Sequence, residues 1–197
     1  MKNAKNLYVP FTEERWNNWI ECTKQSDYKN MNETSTAVFI DMEEDVIIAC
    51  CKLLRGFEIG KLTLEESLQA IKNIESITQK RLDTGDEQLN DLIELIQASL
   101  IGAFASFESY VKKTYADGPS VNQLVQEALD QEKKGHLELA LAIVGKIGAR
   151  VIAGDSLDQD ALANLEDSCV AEWLDGVDSI VAATTSYIEY DSGDESA

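Results

Sequence analysis

Apolar residues recur three and four positions apart along almost the whole of this 197-residue chain, the spacing that lines one face of an α-helix. Thr12 opens the first such segment, TEERWNNWIECTKQ, in which Phe11, Trp16, Trp19, Ile20 and Thr23 fall on one stripe. A polar, turn-rich stretch, KQSDYKNMNETST, follows as a loop. TAVFIDM is β-branched enough for a short strand or for the lead-in to a helix beginning near Glu43. That helix carries apolar residues at 46, 47, 50, 53, 54 and 57, and Glu43, Glu44 and Asp45 in its first turn suit the positive end of its dipole.

The next helix, LTLEESLQAIKNIESITQKRL, places Leu64, Leu68, Ile71, Ile74 and Ile77 on one side and is broken by Asp83 to Asp86. A long helix is then expected from about Glu87 to Tyr115, striped by Leu89, Leu92, Ile93, Ile96, Leu100, Phe104, Phe107 and Val111. Ala98, Ser99, Gly102, Ala103, Ala105 and Ser106 are small on several of its faces, so neighbours can approach from more than one side. It is the expected central helix. ADGPS stops it and restarts the chain, with Pro119 at a first helical position. VNQLVQEALDQEKK is closed by Gly135, and HLELALAIVGKIGARVIA by Gly154. DSLDQDALANLEDSCVAEWLDG reads as a helix with carboxylates at its start and Leu157, Leu162, Leu165, Cys169 and Trp173 as core contacts. VDSIVAATTSYIEY fits a helix or a strand, and DSGDESA reads as a disordered acidic tail. The fold class is therefore all-α: one domain over 1–190, a bundle of about seven to eight helices around a central apolar one, with an acidic tail at 191–197.

One stretch, GFEIGKLT at 56–63, nearly copies a phosphate-binding loop. The copy fails on spacing, since only three residues separate Gly56 from Gly60 and Leu62 displaces the hydroxyl of Thr63 from the position beside Lys61. It fails on context too, because a helical pattern precedes it where the loop needs a strand. A turn between helices accounts for every residue, with a left-handed glycine ending one helix and Thr63 with Glu66 forming a capping box for the next.

Charge changes the picture more than any motif. The formal net charge is −19, and it is one-sided. From Asp86 onward 6 basic residues face 22 acidic ones, and after Arg150 there is no Lys or Arg at all. Such an end cannot replace the counterions of a phosphate backbone, which excludes nucleic acid as its partner. Of the 17 basic residues 13 are Lys, which fits moderate better than extreme salt adaptation. No run reaches the roughly 18 uncharged apolar residues that a membrane span needs. The start, MKNAKNLYVPFTEERW, lacks an apolar secretory region, so a cytoplasmic setting is expected.

Side chains for catalysis are scarce. His136 is the single histidine, next to Gly135 at a helix start, which rules out histidine-rich zinc sites and paired Glu-x-x-His di-iron sites within one chain. No GxSxG elbow exists to support a serine nucleophile. Cys22, Cys50, Cys51 and Cys169 show no CxxC spacing and read as reduced thiols. The adjacent pair Cys50 and Cys51 points to two faces of a helix, which leaves one of them as a thiol for redox sensing. GKIGARVIAG lacks the strand of a dinucleotide fold and reads as small residues for helix packing.

The segment LLRGFEIGKLTLEESLQAIKNIESI, the ERWNNWIE stretch and the overall length together resemble an archaeal family without assigned activity, found in methanogens and related euryarchaea. The resemblance covers most of the chain and brings no catalytic residues with it. It implies an archaeal cytoplasmic setting, in which large cytosol-facing assemblies such as the membrane methyltransferase complex are candidate partners.

The expected function is an accessory or regulatory subunit, non-enzymatic and without a cofactor, that docks on a protein with a basic surface. Its acidic C-terminal third would steer the encounter and aromatic residues would hold it. The candidate partner-binding residues are Trp16, Trp19, Asp155, Asp158, Asp160, Glu172, Trp173 and Asp175. Two other readings use the same features: a small helical enzyme or redox sensor built on Cys50 or Cys51, and an acidic mimic of nucleic acid.

Overall fold

The computed structural model describes residues 10–30, 32–115, 118–158, 162, 165 and 168–191, with side chains as far as Thr184. Among them are seven helices and no strand: α1 (Glu13–Gln25), α2 (Glu33–Glu58), α3 (Leu64–Thr78), α4 (Glu87–Lys112), α5 (Val121–Lys133), α6 (Leu137–Ile152) and α7 (Cys169–Asp191). Short polar side chains mark most of the starts. Thr12, Asn32, Thr63, Asp86 and Ser120 each accept a hydrogen bond from a backbone N–H of the first turn, and Thr63 with Glu66 and Ser120 with Gln123 close full capping boxes. The GFEIGKLT stretch is the expected turn: Gly60 sits at φ 71°, and the N–H groups of Lys61 and Leu62 bond the Gly56 carbonyl.

In three places the elements differ from those expected. TAVFIDM is neither strand nor lead-in but the second turn onward of α2, which begins ten residues before Glu43. Helical period overrides β-propensity there, because Ser35, Phe39, Met42 and Val46 form one buried stripe. Glu43, Glu44 and Asp45 are thus mid-helix, where no dipole end attracts them. Asp155 and Asp158 lie in irregular chain, the Asp158 carbonyl accepts from the N–H of Leu162, which is helical, and Leu165 is irregular again, so the segment expected as one helix is interrupted before α7; Cys169, expected in the core, is exposed at the start of α7. The ambiguous segment after Gly176 continues α7 as helix. The proposed acidic tail, apart from Asp191 at the end of α7, lies outside the described residues.

The central helix is α4. It ends at Lys113, which takes a left-handed conformation (φ 54°), and Tyr115 then stacks on Tyr110 at 5.4 Å between ring centroids. α2 lies along it in the same direction, since Ser99 meets Glu43 and, further on, Tyr110 meets Glu58. α7 lies along it in the opposite direction, with Trp173 beside Gly102 and Gly176 beside Ser99. By length and composition α4 could cross a membrane, at mean hydropathy 1.3 over its most apolar window, but 56% of that window is buried inside the bundle.

Glycines set how closely the helices meet. A Cβ on Gly102 would stand 2.0 Å from the Trp173 carbonyl oxygen, and one on Gly176 2.0 Å from the Ser99 carbonyl oxygen. On α6, Gly145 abuts Ala105 and Gly148 abuts Ser106. The small residues of α4 and the Gly145 and Gly148 of GKIGARVIAG are therefore matched surfaces on which the two helices approach closely.

Two apolar cores result. The first joins α1, α2, α3 and α4 around Trp16, Met42, Ile47, Leu53, Ile71, Ile74, Ile93 and Phe107, with Ile180 and Ala183 from the later part of α7. The second joins α5 and α6 to the earlier part of α7 around Val125, Val144, Ile147, Val170, Leu174 and Val177. Each fully buried aliphatic or aromatic side chain contributes roughly 1.5–3 kcal/mol. A polar clasp seats α3: the Gln97 amide donates to the carbonyls of Thr78 (2.6 Å) and Lys80 (3.0 Å), and the Gln79 amide donates to the Gln97 carbonyl (2.8 Å). It satisfies the carbonyls that the end of α3 would otherwise leave open.

Candidate functional site

The eight residues singled out from the sequence do not form one site. Trp16 is 1% exposed and packs inside the first core, and Trp173 is 8% exposed inside the second. Their large rings hold helices together and are not presented to a partner. Trp19 is half-buried, and its indole N–H donates to Asp45 at 2.8 Å. Asp155 is exposed and pairs with Arg150 at 2.6 Å. Asp158 is exposed and accepts a 3.4 Å hydrogen bond from Asn122. Glu172 and Asp175 lie on α7, half-buried and exposed respectively, while Asp160 is outside the described residues. Asp155, Asp158, Glu172 and Asp175 thus stay near the surface, whereas Trp16 and Trp173 leave it.

Two polar groupings that the sequence reading missed join helices instead. In the first, the Arg15 guanidinium donates to both oxygens of Asp45, through Nε at 2.6 Å and through a terminal nitrogen, while Trp19 donates to the same carboxylate. Arg15 also lies over the Phe11 ring, 5.8 Å from its centroid. Asp45 is only 14% exposed, so this bidentate, charge-assisted contact is partly shielded and anchors α1 on α2. Asp45→Ala is expected to cost about 2–3 kcal/mol of stability, the range for losing hydrogen bonds to a charged group. Urea denaturation checks this, and Asp45→Asn should recover part of the loss.

The second grouping surrounds Glu43, where α2, α4 and α7 meet. Ser99 on α4 donates to its carboxylate, Ser179 on α7 bonds it as well, and Asp175 on α7 stands near enough to repel it. Burial, the dominant cause, holds the Glu43 carboxyl above its ordinary value against the opposing pull of the two hydroxyls, and Asp175 adds to the rise. Asp175 is itself raised, by burial first and by Asp178 second. A signal for Glu43 was present in the sequence, since it falls within the Phe39, Met42, Val46, Ile47 stripe once the helix is extended back to Glu33.

The adjacent thiols Cys50 and Cys51 are placed unfavourably for reaction. Cys50 is fully buried and its thiol is pushed well up by that burial; burial also raises Cys51, to about 12. Thiolate chemistry needs the opposite shift. His136 precedes α6 without capping it and pairs with Gln131 at 3.0 Å. Among the described residues no three His, Cys, Asp or Glu side chains stand together as a metal site. The grooves along α3 (Leu64, Leu68, Lys72) and between α1 and α2 (Cys22, Asn32, Val38) are open and shallow.

The fold and these groupings define an all-α bundle of seven described helices whose internal polar residues tie helix to helix. The chain belongs to the archaeal family described as "uncharacterized protein conserved in archaea" (DUF2150), whose model matches residues 10–193. No curated protein and no solved structure matches the chain.

Proposed function

We propose that the protein is a non-enzymatic interaction protein of the archaeal cytoplasm, an accessory or regulatory subunit that docks on a protein with a basic surface. The observation that carries this reading is the charge distribution: 22 acidic against 6 basic residues from Asp86 onward, with Asp155, Asp158 and Asp175 exposed. Carboxylates so arranged accelerate encounter with a cationic surface and reject an anionic one. With Trp16 and Trp173 committed to the cores, the apolar part of the contact falls to exposed leucines of the same half, Leu95, Leu137 and Leu139. The redox reading is weaker, because the environments of Cys50 and Cys51 favour the protonated thiol.

The test is isolation of the tagged full chain from its host at low salt, identification of what accompanies it, and a binding titration against salt. A stoichiometric protein partner is expected, with affinity falling by about tenfold or more as salt rises from roughly 50 to 200 mM. Indifference to salt would sink the charge-steering argument. Displacement of that partner by DNA would move the reading to nucleic-acid mimicry.

A further inference from the structure

Glu43 occupies an unusual position for a carboxylate in this bundle. It is half-buried between three helices, and every group acting on it is either a neutral hydroxyl, Ser99 or Ser179, or an acid, Asp175. Asp178 stands next to Asp175 on the same helix and reinforces the negative side. On α2 itself the neighbouring Asp45 is committed to Arg15. Among the described residues no Lys, Arg or His forms an ion pair with Glu43. The serine that bonds it also lies where α7 closely approaches α4, since a Cβ on Gly176 would stand 2.0 Å from the Ser99 carbonyl oxygen. Any change in the Glu43 contact therefore acts where α7 sits on α4.

We propose that Glu43, Ser99, Ser179 and Asp175 form a proton-operated latch that seats the middle of α7 against α2 and α4. With a proton on Glu43, its carboxyl O–H donates to one serine hydroxyl while its other oxygen accepts from the second. No charge is then buried and none faces Asp175. When the proton leaves, an uncompensated carboxylate remains across the α2–α7 contact from a second one, and the seating of α7 weakens. The sign follows from linkage. Folding raises the affinity of Glu43 for its proton, so its contribution is fully present below the ordinary glutamate range and is lost as pH rises through the elevated value of the folded state.

The experiment is hydrogen exchange on the full chain between about pH 5 and 8, with rates corrected for intrinsic chemistry and α7 compared with α1 as an internal reference, since α3 carries Glu75, whose carboxyl burial also raises. In the unaltered protein, α7 amides from 173 to 184 are expected to open at least about threefold more readily at the upper end of that range, while α1 stays level. In Glu43→Gln, which keeps the shape and one hydrogen-bond donor, α7 should be as protected at high pH as at low. Asp175→Asn should leave the response in place and move its midpoint toward lower pH. Equal pH dependence of α7 and α1, or an unchanged α7 response in Glu43→Gln, would overturn the latch. Should Glu43→Gln fold poorly, the titration of the Glu43 carboxyl by NMR in the unaltered chain decides: a midpoint no higher than that of exposed glutamates also overturns it.

Discussion

Gly102→Ala should lower the unfolding free energy by about 3 kcal/mol or more, at the upper end of what overpacking costs. The added methyl would meet three backbone atoms of Trp173, at 2.0, 2.6 and 2.7 Å, and backbone cannot swing aside as a side-chain tip can. Relief requires α7 to lift from α4, which takes Trp173 and Leu174 out of the second core. A urea titration followed by tryptophan fluorescence reads both effects, the loss of stability and the altered Trp173 environment. Gly176→Ala strikes the same seam from the other helix, against the Ser99 carbonyl, so the double variant should lose less than the sum of the two. Wild-type stability in Gly102→Ala would mean that α7 is not seated in the way described.

Trp16→Ala is expected to cost about 3–5 kcal/mol, the range for deleting a large aromatic side chain from a core. The ring is 1% exposed and touches the cluster shared by α1, α2, α3 and α4. Trp16→Phe makes the cleaner comparison. The indole N–H of Trp16 is buried with no hydrogen-bond partner, so its removal relieves an unmet polar group while leaving a smaller cavity. A loss of about 1 kcal/mol is expected there, because the two effects oppose. Thermal denaturation of both variants, read against partner binding, separates core from interface. A fully stable Trp16→Ala with impaired binding would restore the surface reading of this residue.

Helix number, type and most boundaries were legible because they depend on period and on capping residues, both local. Thr12, Thr63 with Glu66, Gly60 and Gly135 act as their neighbours in sequence require. The start of α2 was missed because Thr36, Val38 and Ile40 favour extended chain locally, and only packing of Phe39 and Met42 on other helices decides for the helix. Partners distant in sequence were not legible either. Nothing within a window of twenty residues says that Glu43 will meet Ser99 and Ser179, or that Asp45 will hold Arg15 and Trp19. The tryptophan stripe was visible, but a stripe looks the same whether it faces a core or a partner. The direction it faces is fixed by the fold as a whole.

The route of α7 has a thermodynamic corollary. One continuous helix supplies Val170, Leu174 and Val177 to one core and Ile180 and Ala183 to the other, with no break between them. Disassembling the α5–α6 side strips half of that helix of its contacts, and a half-supported helix of this length is marginal in water. The free energies of the two cores are thereby coupled, and the bundle is expected to melt as a single cooperative unit rather than in halves.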